Sequence, residues 1–162
     1  MNGIKIVLRG AHHGERRLAR ELLTVAERHR TEQEIHHVAL DLATWSREHV
    51  QRLADTARDH DLDLSGPGES PGGFLTTLRE KTAETMGRRP EPGLLLLRDL
   101  RDLHLAASEN SLSWEMLGQA AQASRDAGLL QLVSSCHPRT LRQMRWTNTM
   151  IKILSPQILT SL

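Results

Sequence analysis

One stretch of this chain decides most about what it can fold into. Between residues 31 and 61, Ile35, Val38, Ala39, Leu42, Trp45, Ser46, Val50 and Leu53 recur at three- and four-residue spacing. At 3.6 residues per turn these positions form one helical stripe, and an apolar stripe must be buried against other helices. His49 lies inside it. A titratable side chain on a buried face is either paired with another polar group or part of a site.

The same periodicity extends along the chain. A first helix is predicted over 13–30, with Leu18, Leu22, Val25 and Ala26 inward. Thr31 followed by Glu34 has the spacing of a capping box, which would start the second helix. Residues 1–12 read as an N-terminal arm whose segment Ile4 to Leu8 is a short strand or extended. The sequence LSGPGESPGG at 64–73 is turn chemistry and closes the second helix near residue 61. Ser70-Pro71 opens a short helix that carries Leu75, Leu78 and Met86 and stops near Gly87. Pro92 starts a long third helix that reaches Ser124 through Leu96, Leu100, Leu103, Ala107, Trp114 and Ala121. Asp126 caps a fourth that continues through Val133, Met144 and Ile151 to Leu154. Pro138 should kink or split that helix, and Pro156 should end it, leaving 155–162 as a tail.

Short turns make the first and second long helices antiparallel neighbours, and likewise the third and fourth. The crossover, 64–92, is long enough to run the length of the helices. Residues 1–162 therefore read as one all-α domain: an antiparallel four-helix bundle with an extra helix in the crossover between the second and third long helices. With no tyrosine and one phenylalanine, its core must be built from Leu, Ala, Val, Ile and Met, a palette suited to helix-on-helix packing.

Two hairpins joined by a helical crossover, with the second helix ending His49-Val50-Gln51-Arg52-Leu53, resemble a small bacterial ferritin-like protein of the stress-associated kind. The resemblance implies a ferritin-like fold and directs attention to a di-iron centre. Such a centre is built from a Glu on each of two helices and a Glu-x-x-His on each of the other two. This chain departs from that set, because no Asp or Glu follows Asp126. Glu34-Ile35-His36-His37 matches the motif only in letters: with Ile35 inward, His37 points about 200° away.

A smaller constellation remains. Glu15 on the first helix and His49 on the second fall at the same height, and Glu115 and His137 lie within a turn of that level. His104 faces inward higher up. Glu15, His49, Glu115 and His137 would hold a divalent transition metal if they converge; the alternative is hydrogen-bonded Glu–His pairs that satisfy buried polar groups. Cys136 sits on the inward side, where a thiol acts as an apolar filler. Cys136 and the adjacent His137 diverge by about 100° and do not form a nucleophile–base pair.

The last helix carries a second signal. Trp146, Met150 and Ile153 line up with Arg139 and Arg142 on the side away from its expected core stripe. This strip calls for a cover: either another segment of the chain, a second copy in a homodimer, or, as the weakest option, nucleic acid. A net charge of +1 gives no bulk attraction to nucleic acid or membrane. The single cysteine, and the lack of a signal-peptide core or a membrane-length apolar run, suggest a cytoplasmic protein. The expected role is that of a non-enzymatic structural or interaction protein that self-associates. A metal-binding protein or oxidoreductase is the competing class. No reacting group stands out to name a reaction.

Overall fold

The computed structural model describes residues 2–68, 70–84 and 91–162, with backbone alone for 79–84. Among the described residues the chain is all-helical, without a strand: α1 (Gly3–Arg28), α2 (Gln33–Arg58), α3 (Pro71–Glu84), α4 (Pro92–Ser124) and α5 (Ala127–Leu159). Met86 and Gly87, expected to close the crossover helix, lie outside the described residues.

The expected N-terminal arm is instead the first turns of α1. Asn2 caps the helix, its Oδ1 accepting the Ile4 amide at 2.8 Å. Leu8 and Ala11 then follow at helical spacing and are buried, with Ile4 and Val7 packed beside them. The run Ile4 to Leu8 is apolar on both sides, so its periodicity reads as well for a strand as for a helix. Only the capping asparagine distinguishes the two.

The expected capping box is also absent. Glu32, not Thr31, occupies the cap of α2, and no side chain bonds to that helix start. Its register is held from the neighbouring helix: the His36 ring donates from Nδ1 to the Ala26 carbonyl at 2.7 Å. The Asp126 cap forms as read, accepting the Leu129 amide at 3.0 Å. At the proline start of α4, Glu91 supplies a cap that was not read from the sequence, accepting the Leu94 amide at 2.7 Å. Neither Pro138 nor Pro156 splits or ends α5. Each proline removes one backbone donor, but the turns on either side keep their helical bonds, so the missing bonds do not terminate it.

The contacts fix the direction of each helix. The pairs His29–Asp99 and Glu15–Trp114 run in opposite order along α1 and α4, as do Leu42–Gln143 and Glu48–Arg139 along α2 and α5. Backbones pack closely between α1 and α2, α4 and α5, α1 and α4, and α2 and α5. The connection from α2 to α4 therefore leaves at one end of the helices and re-enters at the other. It is tied to α1 where it starts: buried His12 donates from Nε2 to the Ser65 carbonyl at 2.6 Å, and Arg16 reaches the Ser65 hydroxyl at 3.0 Å. Burial pushes the His12 pKa below its ordinary value, more than the Ser65 bond restores. Further along, Phe74 and Leu75 of α3 lie against the core.

The interior is divided. One apolar cluster gathers around Leu18, Leu22, Leu42, Leu100, Leu103 and Met150; the other gathers around Leu8, Leu53, Trp114, Leu117, Leu129 and Leu132. Between them every long helix contributes buried polar residues: Glu15 from α1, Ser46 and His49 from α2, Asn110 and Ser111 from α4, and Thr140 and Gln143 from α5.

A second polar fixture closes the end of the molecule where α1 stops. Asp99 is buried and takes 2.7 and 2.8 Å bonds from Arg28 and a 2.7 Å bond from the His29 ring. Burial raises the Asp99 carboxyl, but the bonds from His29 and Arg28 outweigh it and hold its pKa below the ordinary value. A depressed carboxylate contributes stability above its unfolded pKa and loses it as pH falls through the folded one. Asp99→Asn is expected to cost about 2 kcal/mol near neutrality. It should also flatten the acid limb of a denaturation-midpoint profile; an unchanged acid limb would contradict this role.

Candidate functional site

The polar layer is built from the α1–α2 hairpin outward. Glu15 is one turn before Leu18 on the buried stripe of α1, and His49 sits one turn before Leu53 on that of α2. The hairpin brings them to one level, as the residue count from its turn predicts. His49 Nδ1 lies 3.3 Å from Glu15 Oε1, with the two side chains 1% and 0% exposed. The distance is that of an ion pair, although the alignment is not that of a hydrogen bond.

Two further residues complete the layer. Trp114 of α4 donates its indole N–H to Glu15 Oε1 at 3.2 Å. Its ring meets the His49 ring edge-on, with centroids 5.9 Å apart and planes at 82°. From α5 the buried Cys136 thiol adds to the electrostatic surroundings of the His49 ring. Burial pushes the His49 pKa down, but Cys136 and the Glu15 carboxylate overcome it and bring the value up to about 9. A shift in this direction favours the imidazolium form of His49 at neutral pH.

The layer is costly as well as cohesive. Glu15 Oε2, both ring nitrogens of His49, Asn110 Nδ2 and Gln143 Oε1 have no hydrogen-bond partner among protein atoms. A buried polar atom left unbonded costs about 1–3 kcal/mol. What offsets this is charge: the pair attracts more strongly in a low dielectric than it would at a surface. Gln143 is held by its other end, donating from Nε2 to the Leu42 carbonyl at 3.1 Å and the Ser46 hydroxyl at 3.0 Å.

The four residues proposed from the sequence as metal ligands do not converge. Glu15 and His49 meet, but Glu115 is exposed and His137 is half-buried, bonded through Nε2 to the Ser111 hydroxyl at 2.9 Å. Glu115 and His137 both stand next to the layer along their helices but face away from it. Trp114 and Cys136, one residue earlier on each helix, occupy the inward positions, and one residue is about 100° of rotation. Glu115 and His137 instead share the rim of a groove of about 270 Å³ between α4 and α5, with Trp114 at its base. His104 is likewise turned toward α5, its Nδ1 bonded to the Thr147 hydroxyl at 2.9 Å. A ferritin-type two-metal centre needs carboxylates and imidazoles from all four helices at one point. No group of three His, Cys, Asp or Glu among the described residues is placed to hold a metal ion. The residues present do not fit that centre.

The strip expected on the outside of α5 is also rearranged. Met150 is buried in the core, and Trp146 is half-buried against it. Arg139 forms an ion pair with Glu48 of α2 and stacks 5.4 Å above the Trp45 ring. Only Arg142 and Ile153 remain exposed. The strip is thus broken up, with Met150 and Trp146 drawn into the core and Arg139 paired with α2. The inward stripe of α5 passes through Thr140, Gln143 and Thr147. These are polar, so a search for apolar periodicity selects Met144 and Ile151 one residue away.

Sequence reasoning missed a different surface. On α4, Leu94, Leu105, Leu112 and Met116 are 43%, 51%, 63% and 53% exposed. They lie within about 40° of one line on the face opposite the core. Their recurrence was present in the sequence, but α4 is apolar on two sides and the stronger stripe masked the weaker.

The central pair predicts an alkaline transition. A histidine whose folded pKa lies above its unfolded value contributes stability that is complete below about pH 6.5 and lost as pH rises through about 9. The denaturation midpoint should therefore fall between neutrality and pH 10, by an amount corresponding to something on the order of 3 kcal/mol. The chain has no tyrosine to mask this. The Glu15→Gln/His49→Gln double variant should lose the slope. A wild-type midpoint that stays level through this range would refute the charged pair.

No protein-family model matches the chain, and neither does any curated protein or solved structure. Among the described residues, no helix is long and apolar enough to cross a membrane.

Proposed function

We propose that this chain is a non-catalytic helical-bundle protein of ferritin-like layout that works by self-association, docking through the outer face of α4. The layout is supported by two antiparallel hairpins joined by a connection that crosses from one end of the helices to the other. A simple up-down-up-down bundle has no such crossing.

The single observation behind the interaction role is the exposed line of Leu94, Leu105, Leu112 and Met116. Scattered apolar residues on a surface need no explanation. Four large ones recurring along the solvent face of one helix, opposite a face already buried, mark a surface suited to being covered. The non-catalytic reading is supported by the state of the ionisable groups. Glu15, His49 and Cys136 are sealed from solvent and spent on one another, and Glu115 and His137 rim an open groove with no third member.

Leu112→Asp and Met116→Asp, each made alone, should lower the mass seen by sedimentation to that of a monomer while the helical circular dichroism is retained. Wild-type protein that sediments as a monomer at every accessible concentration would overturn the proposal.

A further inference from the structure

The exposed face of α4 carries a pattern that reads the same in both directions. Starting from Leu94, its members are Arg98, Arg101, Leu105, Glu109, Leu112 and Met116, all exposed. The steps between them are four, three and four residues up to Leu105, then four, three and four beyond it. Reversal about Leu105 exchanges Leu94 with Met116, Arg98 with Leu112, and Arg101 with Glu109. An apolar residue therefore meets an apolar residue or the aliphatic stem of an arginine, and a cation meets an anion.

Resting on the self-association proposed above, we propose that the partner is a second copy of this chain, its α4 antiparallel to the first about a two-fold axis at Leu105, with Arg101 of each protomer paired to Glu109 of the partner subunit. The contact is isologous, as most closed dimers are. Charge selects this orientation over its opposite. Parallel pairing would set Arg101 on Arg101 and Glu109 on Glu109, and like charges across an interface are disfavoured. Among the described residues neither group is strongly committed within its own chain. Arg101 lies 3.8 Å from the adjacent Asp102, with the two side chains 71% and 54% exposed. Glu109 contributes only a charge interaction at Arg17, which is already bonded to Glu21. The rest of the face is apolar at its centre, where two Leu105 side chains meet, and apolar again at each end.

The pattern permits a test that ordinary surface disruption cannot mimic. Arg101→Glu and Glu109→Arg, each alone, replace two attractions with two repulsions and should raise the dimer dissociation constant about tenfold or more. An equimolar mixture of the two variants restores both opposite-charge pairs. Its dissociation constant, read by sedimentation equilibrium, should return close to the wild-type value, as should that of the Arg101→Glu/Glu109→Arg double variant. Circular dichroism on each variant checks that the helices are intact. If wild type dimerises but either single variant dimerises equally well, or the mixture is not rescued, the antiparallel α4 pairing is wrong while self-association stands. If wild type is monomeric, both proposals fail together.

Discussion

The interior of this protein depends on one ion pair. Glu15 and His49 meet at 3.3 Å with almost no exposure, between two apolar clusters that would otherwise merge into one core. A lone buried carboxylate or imidazolium would be severely destabilising, and each is tolerated only because the other is present. Trp114 and Cys136 close the pair from the opposite hairpin, so all four long helices contribute to a single level. The arrangement also fixes register. Sliding α1 by one turn would carry Glu15 into leucines and strand its charge, whereas an all-leucine interface could accept several offsets.

In the ferritin-like layout proposed above, that central layer stands at the level where a two-metal centre would be built. The level where such a centre would sit is occupied by a salt-bridged pair, an indole and a thiol. Ionisable groups at this height act on each other. The surface, by contrast, holds an unspent resource in α4, a helix with one apolar face buried and a second exposed.

Much of this was legible in the sequence. The long helices, the proline start of α4 and the Asp126 cap of α5 follow from periodicity and local chemistry. The meeting of Glu15 and His49 follows from counting outward from one short turn. Rotation about the helix axes was harder to read. Glu115 and His137 sit one residue past the inward positions, and Met150 was assigned outward because the true inward stripe of α5 is polar at Thr140, Gln143 and Thr147. Hydrophobic periodicity locates a buried face only when that face is hydrophobic. In a polar layer it reports the neighbouring face, with an error of about 100°. The opening turns of α1 failed for a related reason, since a short run apolar on all sides has no period to read.

The central layer depends on His49 carrying a proton inside the protein at neutral pH. Nitrogen-15 NMR of the histidine side chains, followed across a pH titration and assigned with a His49→Gln variant, reads that state directly. Both His49 ring nitrogens should have imidazolium shifts at neutral pH and lose them near the value of about 9. A neutral tautomer at pH 7, with one ring nitrogen bare, would mean that the central layer is held by something other than charge.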